Sequence, residues 1–572
     1  MRLLLACVAW FALLHSILGA PHSRCRCLPG DPCWPSADEW NQLNASIGNN
    51  LLISFPLAQP CHDPHYNEQE CAFVHQNWQN GVWRTNQPYG LFQTTFEVLN
   101  NETWSCQLNA TRSSECTLGN LPVYIVNASS TDDIQKAVIF AADHNLRLSI
   151  KNTGHDYLGR NSAAGSLSIW THRLNQIELF DNFVTNDPSA NGSTAVTVQS
   201  GVQMAQLYKA VATKNWVVVG GAANTVGVGG YVGGGGHSAI SPNYGLAVDN
   251  ALEFTLVLPS GEVIVTNGVQ YTDIFWALRG GGASTWGVVI DVTFRTYPGP
   301  SVLSYAEFGA YTTNTTLYKM MLEKFVDAQP AISEGGFGGY WYNSNNTLWF
   351  LYANLNANKT EASKVLEPFI NYTASIGVEN QLNMSEYNNW NQWYLDFACP
   401  GGDCGSVSGG SAYLSSRLIP RENFERPGEL ADALINAYNA ISGTGGTIGH
   451  LVAGGEVSKK DPDSVAVNPA WRKALWHIVI SVGYEDNAPP AERERQHRLT
   501  TKTNDFFRDI TPGSGCYMNE ADIYEPDWQQ AFFGSHYDRL VEIKRDIDPD
   551  HLFICRNCVG SEEWDESLNC RK

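Results

Sequence analysis

The chain has 572 residues, too many for one hydrophobic core of ordinary size, so two or more domains are expected. Its 43% apolar, 11% aromatic and 16% charged residues describe a globular protein rather than a disordered one. A formal net charge of -21 argues against nucleic acid as a partner, because phosphate recognition needs a basic surface.

At the N-terminus, Arg2, the apolar run LLLACVAWFALL and the following HSILGA-PHSRC have the layout of a secretory signal cut near Ala20. The run is shorter than the ~20 residues that span a bilayer, and no later stretch could span, so no membrane anchor is expected. Residues 21–116 read as a Cys- and Pro-containing extension with little periodicity. Its Cys25, Cys27, Cys33, Cys61, Cys71, Cys106 and Cys116 are matched near the other end by Cys516, Cys555, Cys558 and Cys570, with Cys399 and Cys404 between. Oxidised, these would staple the terminal segments and one short loop. Loss of Cys7 with the signal leaves an odd number, so at least one thiol is expected to be free or otherwise paired. The Cys555–Cys558 pair reads as a structural bridge. Sequons at Asn44, Asn101, Asn109, Asn127, Asn191, Asn314, Asn345, Asn358, Asn371 and Asn383 fit N-linked glycans on a secreted protein.

From about 121 the periodicity sharpens. TDDIQKAVIFAADHN reads as a helix with Thr131 as N-cap and Ile134, Ala137, Val138 and Ala141 on one face. LRLSIKN, LSIWTH and STAVTVQSG read as strands, VQMAQLYKAVATKN as a helix, and WVVVGG as a strand. LEFTLVLPSGEVIVTN reads as a hairpin, YTDIFWALRGGG as a helix, and GVVIDVTFRTYP as the strand that closes this region near 300. Between 301 and 510, helices such as TLYKMMLEKFVDA and ELADALINAYNAI alternate with strands such as YWYNSNNTLWFLYANL and ALWHIVISVGY. That texture predicts an α+β domain with a sheet backed by helices. Residues 511–572 end the fold with a helix and an Asp-Pro turn.

Nine glycines fall among the 19 residues 220–238, directly after the WVVV strand. Such a run is either loose or in close contact with something, because glycine removes the steric limit on approach. A Rossmann turn is disfavoured: no amphipathic helix opens at the last glycine, and no acidic residue follows in a βαβ unit. A P-loop is excluded by the lack of Gly-Lys-Ser/Thr. Exposed N–H groups and absent side chains still suit a pyrophosphate. A second glycine-flanked loop, KNTGHDYLGRNS, also follows a strand and carries His155. The scattered histidines show no H-x-x-x-H or Cys/His ligand spacing, so no metal is expected.

IKNTGHDYLGR, TVGVGGYVGGGGHS, YGLAVDNALEFTLVLPSGEVIVTN, DIFWALRGGGASTWGVV and CYMNEAD…PDHLF, in this order, resemble the vanillyl-alcohol-oxidase-type flavoproteins. The likeness is specifically to the berberine-bridge-enzyme-like branch and its secreted fungal members, including isoamyl-alcohol-oxidase-like proteins. The resemblance implies an α+β fold with a two-lobed FAD-binding domain (117–300, completed by 511–572) and an α+β substrate domain (301–510) whose antiparallel sheet is backed by helices. It implies FAD bound covalently through His155. Ala223 stands where many relatives carry a second, cysteinyl link, so a single link is expected. Lys151, Asn152, Thr153, Gly154, Gly159 and Arg160 would form one wall of the cofactor site. Thr225, Val226, Gly227, Gly229, Gly230, Gly233, Gly234 and Asn519 would form the other. Val226 matches a position where small side chains admit dioxygen, which favours an oxidase. Tyr157, His477, Tyr517 and Glu520 are the catalytic candidates, with His477 as a possible base; His237 and His450 read as structural.

The activity implied is a two-electron oxidation of a substrate C–H bond, most simply a carbinol, with dioxygen reduced to hydrogen peroxide. The alternatives are an oxidative cyclase or dehydrogenase of secondary metabolism and a catalytically silent flavin-carrying binding protein. The expected partners are a small-molecule substrate, dioxygen and N-linked glycans, with a monomer favoured.

Overall fold

The structure, a computed structural model, describes residues 24–98, 106–186, 191–344, 346–355, 357–398 and 408–572. The signal-peptide reading, the sequons at Asn101 and Asn345, and Cys399 and Cys404 lie outside the described residues.

The first sheet contains β1 (Leu51–Ile53), β2 (Tyr124–Asn127), β3 (Leu148–Lys151) and β4 (Leu167–Trp170), in the order β1-β2-β4-β3. β2 and β3 both run parallel to β4, a pairing that requires a crossover. The helix Thr131–Asp143 supplies it. Its fully buried Ile134, Ala137, Val138 and Ala141 pack on the sheet's apolar residues. Its cap is Ser130 rather than Thr131: the Ser130 hydroxyl accepts the Asp133 N–H, and Asp133 accepts the Ser130 N–H in return.

The second lobe runs through β5 (Ile177–Phe183), β6 (Ser193–Gln199), the two-residue β7 (Trp216–Val217), β8 (Ala251–Val257), β9 (Val263–Asn267), β10 (Val288–Arg295) and β11 (Tyr297–Pro298). Five of these form an antiparallel sheet in the order β5-β6-β10-β8-β9, and β7 pairs with β11. The WVVVGG strand is therefore cut to its first two residues. The glycine run that follows contains a short helix, Val228–Gly233, where the sequence indicated none.

The third sheet has seven antiparallel strands: β12 (Leu303–Tyr311), β13 (Phe337–Ser344), β14 (Thr347–Leu355), β15 (Glu379–Tyr387), β16 (Ser411–Pro420), β17 (Gly445–Leu451) and β18 (Ala474–Tyr484). Their order is β15-β12-β14-β13-β17-β18-β16. Helices Thr315–Glu334, Lys359–Ser375 and Pro427–Ile441 cover one face. Strand alternation sends Trp341 into that core, with ring centroids 5.5 Å from Phe325 and 4.5 Å from Trp476. Tyr340 and Tyr342, its neighbours in sequence, point to the opposite face. Gly449 lies directly across from Trp341, and a Cβ there would fall 1.8 Å from the indole.

Residues 24–98 and 106–116 are tied to the first sheet, the C-terminal segment and the third-sheet domain. β1 pairs with β2, Cys25 is bridged to Cys570, and the Trp78 indole donates to the Gly409 carbonyl at 3.0 Å. Disulfides also join Cys27–Cys33, Cys61–Cys71, Cys106–Cys116 and Cys555–Cys558, while Cys516 is free and buried. Among the described residues no helix is long and apolar enough to cross a membrane.

The C-terminal segment returns to the second lobe through a buried ammonium. Lys544 Nζ donates to the carbonyls of Thr285 and Phe553, each at 2.7 Å, and to Asp548 at 2.6 Å. Asp548 also accepts the N–H groups of Leu552 and Phe553. Asp548→Ala should therefore cost about 3–5 kcal/mol in denaturant unfolding, since it leaves a buried cation unpaired. The Lys544→Met/Asp548→Leu double variant should lose much less.

Candidate active site

A cavity of about 350 Å³ lies where the two glycine-flanked loops face the uncovered side of the seven-stranded sheet. The loop after β3, the glycine run, the turn before β10 and the C-terminal segment around 517–520 supply one side of it, and β13, β17 and Phe397 line the other.

The loop after β3 is shaped by Gly154, whose φ of +87° is left-handed and whose missing Cβ would press on Phe92 N at 3.1 Å. The turn presents His155 with its ring stacked on Phe92 at 3.7 Å and its Nε2 2.7 Å from Thr225 Oγ1. Burial lowers the imidazole to about 3, so it is neutral, and Nδ1 is left outside the Thr225 contact. Asp156 and Arg160 form a buried ion pair at 2.7 Å, and Arg160 Nη2 reaches Asn519 Oδ1 at 3.0 Å.

Two residues expected on this wall do not line the cavity. Lys151 turns its ammonium away to the carbonyls of Gln87 and Pro88, where it ties the loop to the N-terminal segment. Gly159 sits against Phe96, which a Cβ would meet at 2.8 Å. Asn152, Thr153, Gly154, His155, Tyr157 and Arg160 do line it.

On the facing wall the glycines act by permitting contact. A Cβ on Gly227 would lie 2.3 Å from the Asn152 amide, on Gly229 3.0 Å from Ser200 Cβ, and on Gly233 2.9 Å from the Ala283 backbone. At Gly230 nothing lies within 4 Å, so that position opens on the cavity. Val226 and Ala223 also face it. Thr225 and Gly234 stand just behind: Thr225 holds His155, and Gly234 leaves room for Asn519, whose Oδ1 a Cβ would meet. Asn519 in turn donates to the carbonyls of Gly230 and Tyr231 at 3.2 and 3.3 Å.

The residues present fit a large polar cofactor such as FAD. Asn152 Oδ1, Arg160 Nη1, Asn161 Oδ1, Ser200 Oγ and Trp286 Nε1 are buried on the cavity wall without a hydrogen-bond partner in the chain. Orphaned polar atoms of this kind are costly unless something completes them.

At the substrate side, Tyr340, Tyr342 and Ile448 come from the uncovered face of the sheet, beside Phe397. With them stand His237, His450, Tyr517 and Glu520. His477 is placed differently from the expectation. It is fully buried behind His450, with the two Nδ1 atoms 2.8 Å apart, and does not line the cavity. His237 and His450, read from sequence as structural, line this end of it instead. Burial pushes the Tyr157 phenol up to about 12, with the Glu520 charge adding to it, and raises Tyr517 for the same reasons. Both stay protonated donors. Burial alone would raise Glu520, but the three facing imidazoles more than reverse that and hold it below the usual carboxylate range. The other carboxylate on the wall, Asp156, is committed to Arg160, so Glu520 is the one available to accept a proton.

Comparison with known proteins settles the family. Residues 122–267 match the FAD binding domain family and residues 516–559 the berberine and berberine-like family. An uncharacterised FAD-linked oxidoreductase of Arthroderma benhamiae is 37% identical over 98% of this chain and 99% of its own length. The VAO-type flavoprotein oxidase VAO615 of Thermothelomyces thermophilus is 31% identical over 95% of this chain and 94% of its own. The chain belongs to the VAO-type, berberine-like FAD-linked oxidoreductases. A crystal structure of the VAO-type flavoprotein MtVAO615 from Myceliophthora thermophila C1 superposes with a TM-score of 0.89, at 30% identity, over 96% of this chain and all of that one. The fold is shared more distantly, at 22% identity and a TM-score of 0.66, by a glucooligosaccharide oxidase from Acremonium strictum that carries a 6-S-cysteinyl, 8α-N1-histidyl FAD. That likeness covers 77% of this chain and 92% of the other.

Beyond the motifs, Phe92 under His155 gave no sequence signal, because its segment lacks periodicity. The pair Tyr340 and Tyr342 was visible as the alternation in GYWYN. Gly233→Ala should lower the ratio of flavin to protein absorbance in purified protein, because the new methyl pushes the glycine helix off Ala283. Gly230→Ala tests the open position instead: its methyl enters the cavity, so flavin content should fall while the melting temperature holds.

Proposed function

We propose that this protein is a secreted oxidase that carries FAD on His155 alone and converts a carbinol to a carbonyl. The observation that carries the reading is the placement on one cavity wall of a neutral, Thr225-oriented imidazole and of a carboxylate that no cation neutralises. When bound, FAD supplies the hydride acceptor and the reaction with dioxygen that yields hydrogen peroxide.

The chain's own residues do the rest. Thr225 holds one nitrogen of His155 and leaves the other for attachment. Ala223 offers no thiol at the cavity wall, and among the described residues no cysteine lines it, which supports a single link. Glu520 takes the hydroxyl proton, with His237 Nε2 at 3.4 Å to share it. Tyr157 and Tyr517, both protonated, orient the substrate oxygen as donors. Tyr340, Tyr342 and Phe397 give the alcohol's organic part an apolar surface that excludes water. Val226 is small enough to leave a path for dioxygen. The five disulfides among the described residues and the exposed sequons at Asn109, Asn191, Asn314, Asn358, Asn371 and Asn383 support secretion with N-linked glycans.

On a denaturing gel the wild-type band should fluoresce as flavin, and the His155→Ala band should not. A dark wild-type band would overturn the covalent link. Glu520→Gln should slow anaerobic flavin reduction by about 10²–10⁴-fold, the usual contribution of a positioned base. Because the Glu520 carboxyl is depressed, its anion persists as pH falls through about 4.3, the ordinary glutamate value. The reduction rate should therefore stay flat there in stopped-flow traces; a half-maximal drop at that pH would reject Glu520 as the proton acceptor. Val226→Leu should slow reoxidation by dioxygen on the order of tenfold, about 1.4 kcal/mol of barrier, and leave the anaerobic step unchanged.

A further inference from the structure

Three imidazoles and one carboxylate, carried by four separate segments, converge at the substrate end of the cavity. His237 follows the last glycine of the run. His450 and His477 are directly opposed on β17 and β18, and Glu520 lies in the C-terminal segment. From the single oxygen Glu520 Oε2 the separations are 3.4 Å to His237 Nε2, 3.5 Å to His477 Nδ1 and 3.9 Å to His450 Nδ1. The His450 and His477 Nδ1 atoms are 2.8 Å apart, and all four donor atoms lie within 4.8 Å of one another.

Ligands placed tetrahedrally at zinc–nitrogen and zinc–oxygen lengths are about 3.3–3.5 Å from each other. Two of the Glu520 edges already have that length, and the His450–His477 edge needs to open by about 0.5 Å, a small rotation of two rings. We propose that His237, His450, His477 and Glu520 form a binding site for a divalent transition-metal ion of the zinc class.

The donor set selects the metal. Three nitrogens and one carboxylate oxygen suit zinc and its neighbours, whereas magnesium and calcium want oxygen ligands throughout. The site is also dry where it must be and open where an ion must enter. His237, His450 and His477 are 7%, 7% and 0% exposed, while the Glu520 side chain keeps 27% of its surface toward the cavity. No other donor cluster among the described residues competes. The remaining groups built from Cys61 and Cys71, or from Cys27 and Cys33, have their sulfurs in disulfides. The sequence concealed the site because its ligands share no helix or short motif. An ion held here occupies the carboxylate that the proposed oxidation uses as its proton acceptor, so the metal-loaded and metal-free clusters are alternative states of the same enzyme.

The test uses full-length, flavin-loaded protein, stripped with a chelator, dialysed against zinc or cobalt(II) and desalted. Metal is measured by mass spectrometry and flavin by absorbance, so that failure of this site and failure of the flavin reading are separately visible. The expected result is about one metal per chain, with the intense visible bands of tetrahedral cobalt. His450→Ala and Glu520→Gln should each retain less than about a tenth of that with flavin content unchanged. Glu520→Gln preserves side-chain volume and decides the comparison if His450→Ala does not fold. Wild-type protein that holds less than about a tenth of an equivalent would overturn the site. So would full retention of metal by the folded variants.

Discussion

The structure turns on how closely one stretch of backbone is allowed to approach its neighbours. Residues 227–234 lie under Asn152, Ser200, Ala283 and Asn519, one from each of four distant segments, at distances of 2.3–3.0 Å from where a Cβ would be. Glycine costs about 1 kcal/mol per residue in a helix interior, so Val228–Gly233 has no local reason to be helical. What holds it is contact. The same contacts bring the loop after β3, the end of β6, the turn before β10 and the C-terminal segment to one cavity. Removing the side chains is what builds the wall.

Elsewhere, several buried charges are neutralised in kind. Lys544 meets Asp548, Arg84 meets Glu97, Arg472 meets Asp249 and Arg508 meets Glu525, each within 2.6–2.8 Å. Glu520 departs from this pattern, since it faces imidazoles at 3.4–3.9 Å and no lysine or arginine. A carboxylate left with soft, titratable neighbours can exchange a proton or take an ion; one clamped by a guanidinium does neither. Asp156, close by on the same wall, shows the contrast. Its pairing with Arg160 holds the His155 loop in shape and removes it from the chemistry.

The sequence revealed elements whose information is local. Alternation and 3.6-residue spacing marked many of the long helices and strands, though not the helix Lys359–Ser375 or the strands β12, β15 and β16, and the two glycine-flanked loops marked the cofactor wall. Three things were not local. The glycine helix was hidden because propensity opposed it and tertiary contact decided it. The N-terminal segment was read as an appendage because what it does is long-range: Phe92 supports His155, and β1 extends the first sheet. The choice among histidines depended on the order of β13, β17 and β18 in the third sheet, which no single strand encodes. Register sets His450 and His477 side by side on one face, and the place of β17 next to β13 puts His450 on the cavity with His477 behind it, the reverse of the ranking their motifs suggested.

The segment 516–520 links cofactor wall and substrate sheet. Asn519 braces the glycine run and Arg160, while one residue on, Glu520 enters the histidine cluster. Its other end is anchored on β16: the Cys516 thiol donates to the Ser416 carbonyl at 2.9 Å, and the Tyr517 N–H to the Ser416 hydroxyl at 3.3 Å. Any change in the substrate sheet that moves β16 therefore moves Glu520 relative to the wall that Asn519 holds. The far strands of the sheet, β15 and β12, lie away from this connection. Changes near β16–β18 act on Glu520 directly. The aromatic and apolar side of the cavity is thus built from β13 and β17, through Tyr340, Tyr342 and Ile448, while Glu520 is held by the segment that crosses between the two domains.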